Sequence, residues 1–143
     1  MTISNKSTLF KSIQRDKDER GSIVSIVDIR VQNVSIITCK QNVLRSNHYH
    51  LKDFHLMYVM EGEIDYFFKN LNSNDISYFK VKEGDIIFTP NNEIHATYFQ
   101  KKTTLIVSSF LPRDQETYEK DTVRVDFINN ENIYKMIDKY ETK

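Results

Sequence analysis

The sequence predicts an all-β domain, a sandwich or barrel of short strands, followed by one short C-terminal helix. Roughly nine or ten segments rich in β-branched and aromatic residues recur along the chain, with turn signals every eight to twelve residues. Glycine and proline are scarce, three and two in 143 residues, so each one marks a turn. Near the end the period changes. Ile133, Tyr134, Met136, Ile137 and Tyr140 recur at helical spacing between Asn130 and Tyr140.

Taken in order, the first eight or so residues are polar and carry no element. Leu9–Ile13 suits a short edge strand, and Arg15–Gly21 a charged turn closed by glycine. Ser22–Arg30, Asn33–Cys39 and Val43–His50 read as strands because β-branched residues dominate them. His55–Met60 and Ile64–Phe68 flank Gly62, which predicts a tight hairpin. Asn70–Asp75 is a polar loop, and Ile76–Val81 the strand returning from it. Gly84 and Pro90 bracket Ile86–Thr89, while His95–Gln100 and Thr103–Phe110 complete the series. Pro112–Asp121 reads as a charged connector, and Thr122–Phe127 as a last strand. The expected organisation is one domain over residues 1–143, its core about 22–128 and its helix about 130–140.

At 17.0 kDa the chain is long enough for one substantial core. Twenty basic residues balance twenty acidic ones, so no nucleic-acid footprint or charged membrane partner is expected. The N-terminus lacks the apolar run of a signal peptide, and no segment is long and apolar enough to span a bilayer; a cytoplasmic protein is expected. The single cysteine, Cys39, lies in an apolar strand and reads as a buried small hydrophobe.

The chemistry concentrates in histidine. Three of the four fall in Arg45–His55, and His95 follows the Pro90 turn. His48 and His50 are two apart, so one strand would present both on one face. Four neutral imidazoles suit a divalent transition metal, zinc, iron, nickel or manganese, and His48, His50, His55 and His95 are the candidate ligands. Met57, Val59, Thr97 and Phe99 share parity with His55 and His95, which makes them candidate pocket walls. By the same alternation Arg45 should face away from His48 and His50.

These residues also resemble a family. His48-x-His50-x4-His55-x6-Gly62 and Gly84-x5-Pro90-x4-His95 are similar to the two motifs of the cupins. The resemblance covers about residues 40 to 110 and implies a double-stranded β-helix, or jelly roll, with the four positions converging inside it. His55 stands where the family has a glutamate, Asn92 where it has a glycine, and Phe99 where it has an asparagine. A neutral ligand set would leave a bound ion its full charge and favour an anionic co-ligand.

A second likeness lies outside the ligands. Asp18-Glu19-Arg20-Gly21 and Arg45-Ser46-Asn47-His48-Tyr49-His50 resemble segments of the cupins that tailor nucleotide sugars, the dTDP-4-dehydrorhamnose 3,5-epimerases and dTDP-4-oxo-6-deoxyglucose ketoisomerases. Ser46 replaces a glycine of that pattern. The resemblance implies His48 or His50 as the base beside a keto group, and Arg45 holding an anionic group. Those sugar enzymes need no metal, so the two readings compete for the same histidines. Were both imidazoles ligated, Tyr58 or Tyr66 would have to serve as base.

The expected function is therefore a metal-binding cupin enzyme of nucleotide-sugar or other small-molecule metabolism, acting as an isomerase or epimerase. One alternative is a metal-dependent oxygenase or lyase of a small acid; another is a non-catalytic sensor module. The expected partners are a small-molecule ligand and a second copy in a homodimer, since exposed strand edges invite pairing.

Overall fold

A computed structural model describes residues 3–141. Two five-stranded antiparallel sheets face each other, as the jelly roll requires. The first has the order β1-β9-β6-β11-β4 and the second β12-β5-β10-β7-β8. Their strands are β1 (Thr8–Lys11), β4 (Asn33–Cys39), β5 (Val43–His50), β6 (His55–Glu61), β7 (Glu63–Asn70), β8 (Ser77–Lys82), β9 (Asp85–Thr89), β10 (Glu93–Phe99), β11 (Thr103–Ser109) and β12 (Thr122–Arg124). A separate hairpin pairs β2 (Ile13–Asp18) with β3 (Gly21–Ser25). Two helices, α1 (Gln115–Asp121) and α2 (Ile133–Glu141), follow the main run of strands.

Strand alternation sorts the apolar residues into layers. Met57, Val59, Ile64, Tyr66, Phe68, Ile87, Phe99, Leu105 and Val107 point between the sheets and form the central core, which Cys39 joins at 2% exposure. Residues of opposite parity face outward. Phe67, Ala96 and Tyr98 pack beneath Ile133, Met136 and Ile137 of α2, while Leu56, Tyr58, Ile86 and Phe88 pack beneath Ile26, Val27 and Ile29.

Several expectations need correction. β6 and β7 do not form a hairpin, because they belong to different sheets. Gly62 is the corner between them, at φ 93°. A Cβ there would lie 2.3 Å from Thr103 Oγ1 and 2.6 Å from the Lys102 carbonyl oxygen. A corner and a hairpin turn draw on the same residue types, so the local signal could not separate them. The charged run Arg15–Gly21 is largely strand β2, whose partner β3 covers only the first part of Ser22–Arg30. The connector Pro112–Asp121 contains α1, started by Asp114, whose side chain accepts from the Thr117 amide.

Candidate functional site

The four histidines approach one another at one end of the space between the sheets. β5 supplies His48 and His50, β10 supplies His95 opposite His48 in register, and β6 of the other sheet supplies His55. Ring centroids of His48 lie 4.6 Å from His50 and 4.7 Å from His95, and His55 lies 5.2 Å from His95. All four are buried.

Burial, more than any neighbouring charge, holds these imidazoles neutral. It pushes His48 down to about 2, His50 to about 3 and His95 to about 4, and holds His55 well below the ordinary range. The Arg113 guanidinium opposes protonation of all four.

Two imidazoles have defined orientations. His95 Nδ1 lies 3.2 Å from the Glu93 carbonyl oxygen, to which it donates, leaving Nε2 as an unpartnered lone pair. His50 Nδ1 faces Thr122 Oγ1 at 3.4 Å and Asp121 Oδ2 at 3.5 Å. The Thr122 hydroxyl already donates to the Tyr118 carbonyl oxygen, so Nδ1 of His50 is the donor there. Its Nε2 is likewise buried and unpartnered. Asp121 is itself held by the backbone amides of Lys52 at 2.8 Å and Asp53 at 3.0 Å. This arrangement depends on β12 pairing with β5, which sets Thr122 opposite His50.

Arg45 does not face away from the imidazoles. Ser46 and Asn47 adopt left-handed backbone at φ 70° and 58°, and the β5–β10 register slips between His95 and Ala96. Thus Thr97 pairs with Arg45 while His95 pairs with His48, and the extra residue returns Arg45 to the histidine side. The Asn47 side chain pins the bulge by accepting from the Ile128 amide at 2.8 Å. Arg45, His48, His55, Met57, Arg113 and Tyr118 then line a cavity of about 120 Å³. A wider cavity of about 560 Å³ is lined by Lys40, Arg45 and Lys102 and holds no histidine. Arg45 borders both. The smaller space reaches His48 and His55, while His50 and His95, buried against them, are not in its lining.

Of the other candidates, Met57, Val59, Thr97 and Phe99 are buried, with Met57 at the cavity itself. Tyr66 stacks on His95 at 6.3 Å, but its hydroxyl is occupied by Ser7 and Thr89 at 2.7 Å each, and burial pushes its pKa above the ordinary range. Tyr58 lies on the outer face of β6 against Leu56 and Ile86, so it is removed as a candidate base. Asp53, Arg113, Tyr118 and Asp121 were missed. Their partners are distant in the chain, 68 residues for Asp53 and Asp121, and no local spacing signals such a meeting.

Known proteins place this geometry in context. A family model described as the polysaccharide biosynthesis C-terminal domain matches residues 16–123. Among curated proteins, none matches the sequence. QdtA, a sugar 3,4-ketoisomerase from Thermoanaerobacterium thermosaccharolyticum solved with TDP, superposes with a TM-score of 0.69 at 16% identity, covering 98% of each chain. A 3,4-ketoisomerase from Helicobacter canadensis gives 0.68 at 13% identity, over 92% of this chain and 97% of its own. The capsular polysaccharide assembling protein CapF from Staphylococcus aureus gives 0.62 at 19% identity, over 82% of this chain but 33% of its own. The chain thus shares the cupin fold of these proteins.

The expected divalent metal is corrected by these likenesses. QdtA is a sugar ketoisomerase solved with TDP and with TDP-4-keto-6-deoxyglucose, and none of these likenesses supports a metal. Ring nitrogens of His48, His50 and His95 come within 4.8 Å of one another, with His55 outside that set, so the four expected ligands are not gathered equally. With a match over most of its length, the chain belongs to the polysaccharide biosynthesis C-terminal domain family.

Proposed function

We propose that this chain is a single-domain isomerase or epimerase of a nucleotide-linked keto sugar, with His50 as the base. The observation that carries the reading is the His50 imidazole, fixed by Asp121 and Thr122 at Nδ1 and presenting a bare, buried Nε2 beside the bare Nε2 of His95. A neutral imidazole can take the acidic proton next to a carbonyl. An imidazole that burial keeps from holding a proton for long will return it readily. Isomerisation and epimerisation need that behaviour, because the proton leaves one position and is redelivered to the sugar. His48, 4.6 Å from His50, is the second proton carrier in this reading.

Arg45 serves the other end of the substrate. It borders the histidine cavity and the wider one, where Lys40 and Lys102 add positive charge suited to a diphosphate. The fold shared with TDP-sugar ketoisomerases supports a nucleoside diphosphate as the attached group. The test is deuterium wash-in from D2O into TDP-4-keto-6-deoxyglucose, followed by NMR. Wild-type protein is expected to exchange the proton beside the keto group, and His50→Asn to lose about 100-fold or more of that rate. Equal exchange by both proteins would sink the assignment of His50, and TDP binding without exchange would favour a binding module.

A further inference from the structure

The base accounts for half of an enolisation. When the C–H bond beside the carbonyl breaks, its proton goes to the imidazole, its electron pair forms the new C=C bond, and the carbonyl π pair moves onto oxygen. Something must meet that oxyanion. Four neutral histidines do not supply a cation.

Arg113 does. It follows β11 and turns back so that its guanidinium lines the histidine cavity, with about one-fifth of the side chain exposed. Asp53 Oδ2 lies 3.1 Å from Nη2, and the Tyr118 ring lies under Cζ at 5.2 Å. Asp53 is in turn locked by the Leu111 amide at 2.8 Å. Nevertheless Nε and Nη2 are buried and have no aligned hydrogen-bond acceptor. Buried guanidinium donors are ordinarily satisfied, and a missing acceptor points to one that a ligand brings. Arg124 provides the contrast, since Glu119 holds its two terminal nitrogens at 2.8 and 2.9 Å. The same cavity is lined by His48 and His55, so the guanidinium and two of the imidazoles border one space.

We infer that Arg113 is a catalytic residue whose guanidinium, aimed by Asp53 and Tyr118, binds the keto oxygen and stabilises the enolate that forms on it. This rests on the keto-sugar reading of the site. It adds an electrophile that the histidine motif does not contain, and limits substrates to those whose acidified C–H lies beside a carbonyl oxygen within reach of Arg113.

Deuterium wash-in with TDP-4-keto-6-deoxyglucose tests the inference, alongside calorimetric binding of TDP and a thermal midpoint for each variant. Arg113→Gln should lower the exchange rate about 100- to 1,000-fold while TDP affinity stays within about threefold. Arg113→Lys keeps the charge and guards against a folding artefact; it should recover part of the rate but less than wild type, because the planar fork is lost. Asp53→Asn, with Arg113 intact but no longer aimed, should fall between them. Wild-type exchange with both Arg113 variants within twofold of it would overturn the inference and leave the keto-sugar reading standing. A wild-type protein that exchanges nothing would overturn both.

Discussion

At the scale of single residues, the site turns on which nitrogen carries a proton. Asp121→Asn would present an amide to His50 Nδ1 in place of a carboxylate, freeing the ring to adopt the wrong tautomer. Exchange into the keto sugar should drop on the order of 100-fold while TDP binding holds. An unchanged rate would show that Thr122, at 3.4 Å, orients the ring alone. Arg45→Ala should act in the opposite way, weakening TDP binding about tenfold to a hundredfold with little effect at saturating substrate. Titration calorimetry separates the two. Gly62→Ala tests the corner between sheets: both the left-handed backbone and the Cβ clash with Thr103 oppose it, for a loss of about 3 kcal/mol in urea unfolding.

Among the elements, α2 is the reason the second sheet can be apolar on both faces. Ile133 is 2% exposed over Phe67 and Tyr98, and Lys80 ties the end of the helix down by pairing with Glu141 at 3.1 Å and Asp65 at 2.9 Å. Ile133→Ala should cost about 2 to 4 kcal/mol by equilibrium denaturation, and a value under 1 would mean the helix merely rests on the sheet. β4 poses the opposite problem. It is the edge of the first sheet, and Val34 and Ile36 are 62% and 72% exposed along it. An exposed edge of this kind is where the homodimer expected from the sequence would have to pair. Ile36→Lys is then expected to sediment as a monomer where the wild type sediments as a dimer. Identical masses for the two would remove β4 from any interface.

For the whole molecule, four buried neutral imidazoles link folding to pH. In the unfolded chain they protonate near their ordinary value of 6.5, whereas His48, His50 and His95 resist until about 2, 3 and 4. Between those limits the unfolded state binds more protons, so stability is complete above about pH 6.5 and falls as the solution is acidified. The loss is about 1.4 kcal/mol per pH unit for each imidazole involved. Urea midpoints at pH 7.5, 6.5 and 5.5 should fall steeply over the last step, and His48→Asn with His50→Asn should flatten the curve. A midpoint that does not move with pH would mean that the imidazoles are accessible to solvent.

The chain order of residues determines much on its own. Alternation of β-branched and aromatic residues specifies a two-layered strand protein, the change of period near Ile133 specifies the terminal helix, and the two histidine motifs identify the end of the barrel where chemistry collects. These are legible because each depends on neighbours within a few positions. Which sheet each strand joins was decided only in three dimensions, since a corner at Gly62 and a hairpin look alike locally. The same holds for Arg45, whose direction depends on one residue bulging at Asn47 against β10. Asp121 and Arg113 reach the histidines from the far side of the chain, so their roles exist only once β12 has paired with β5 and the turn after β11 has closed over the cavity.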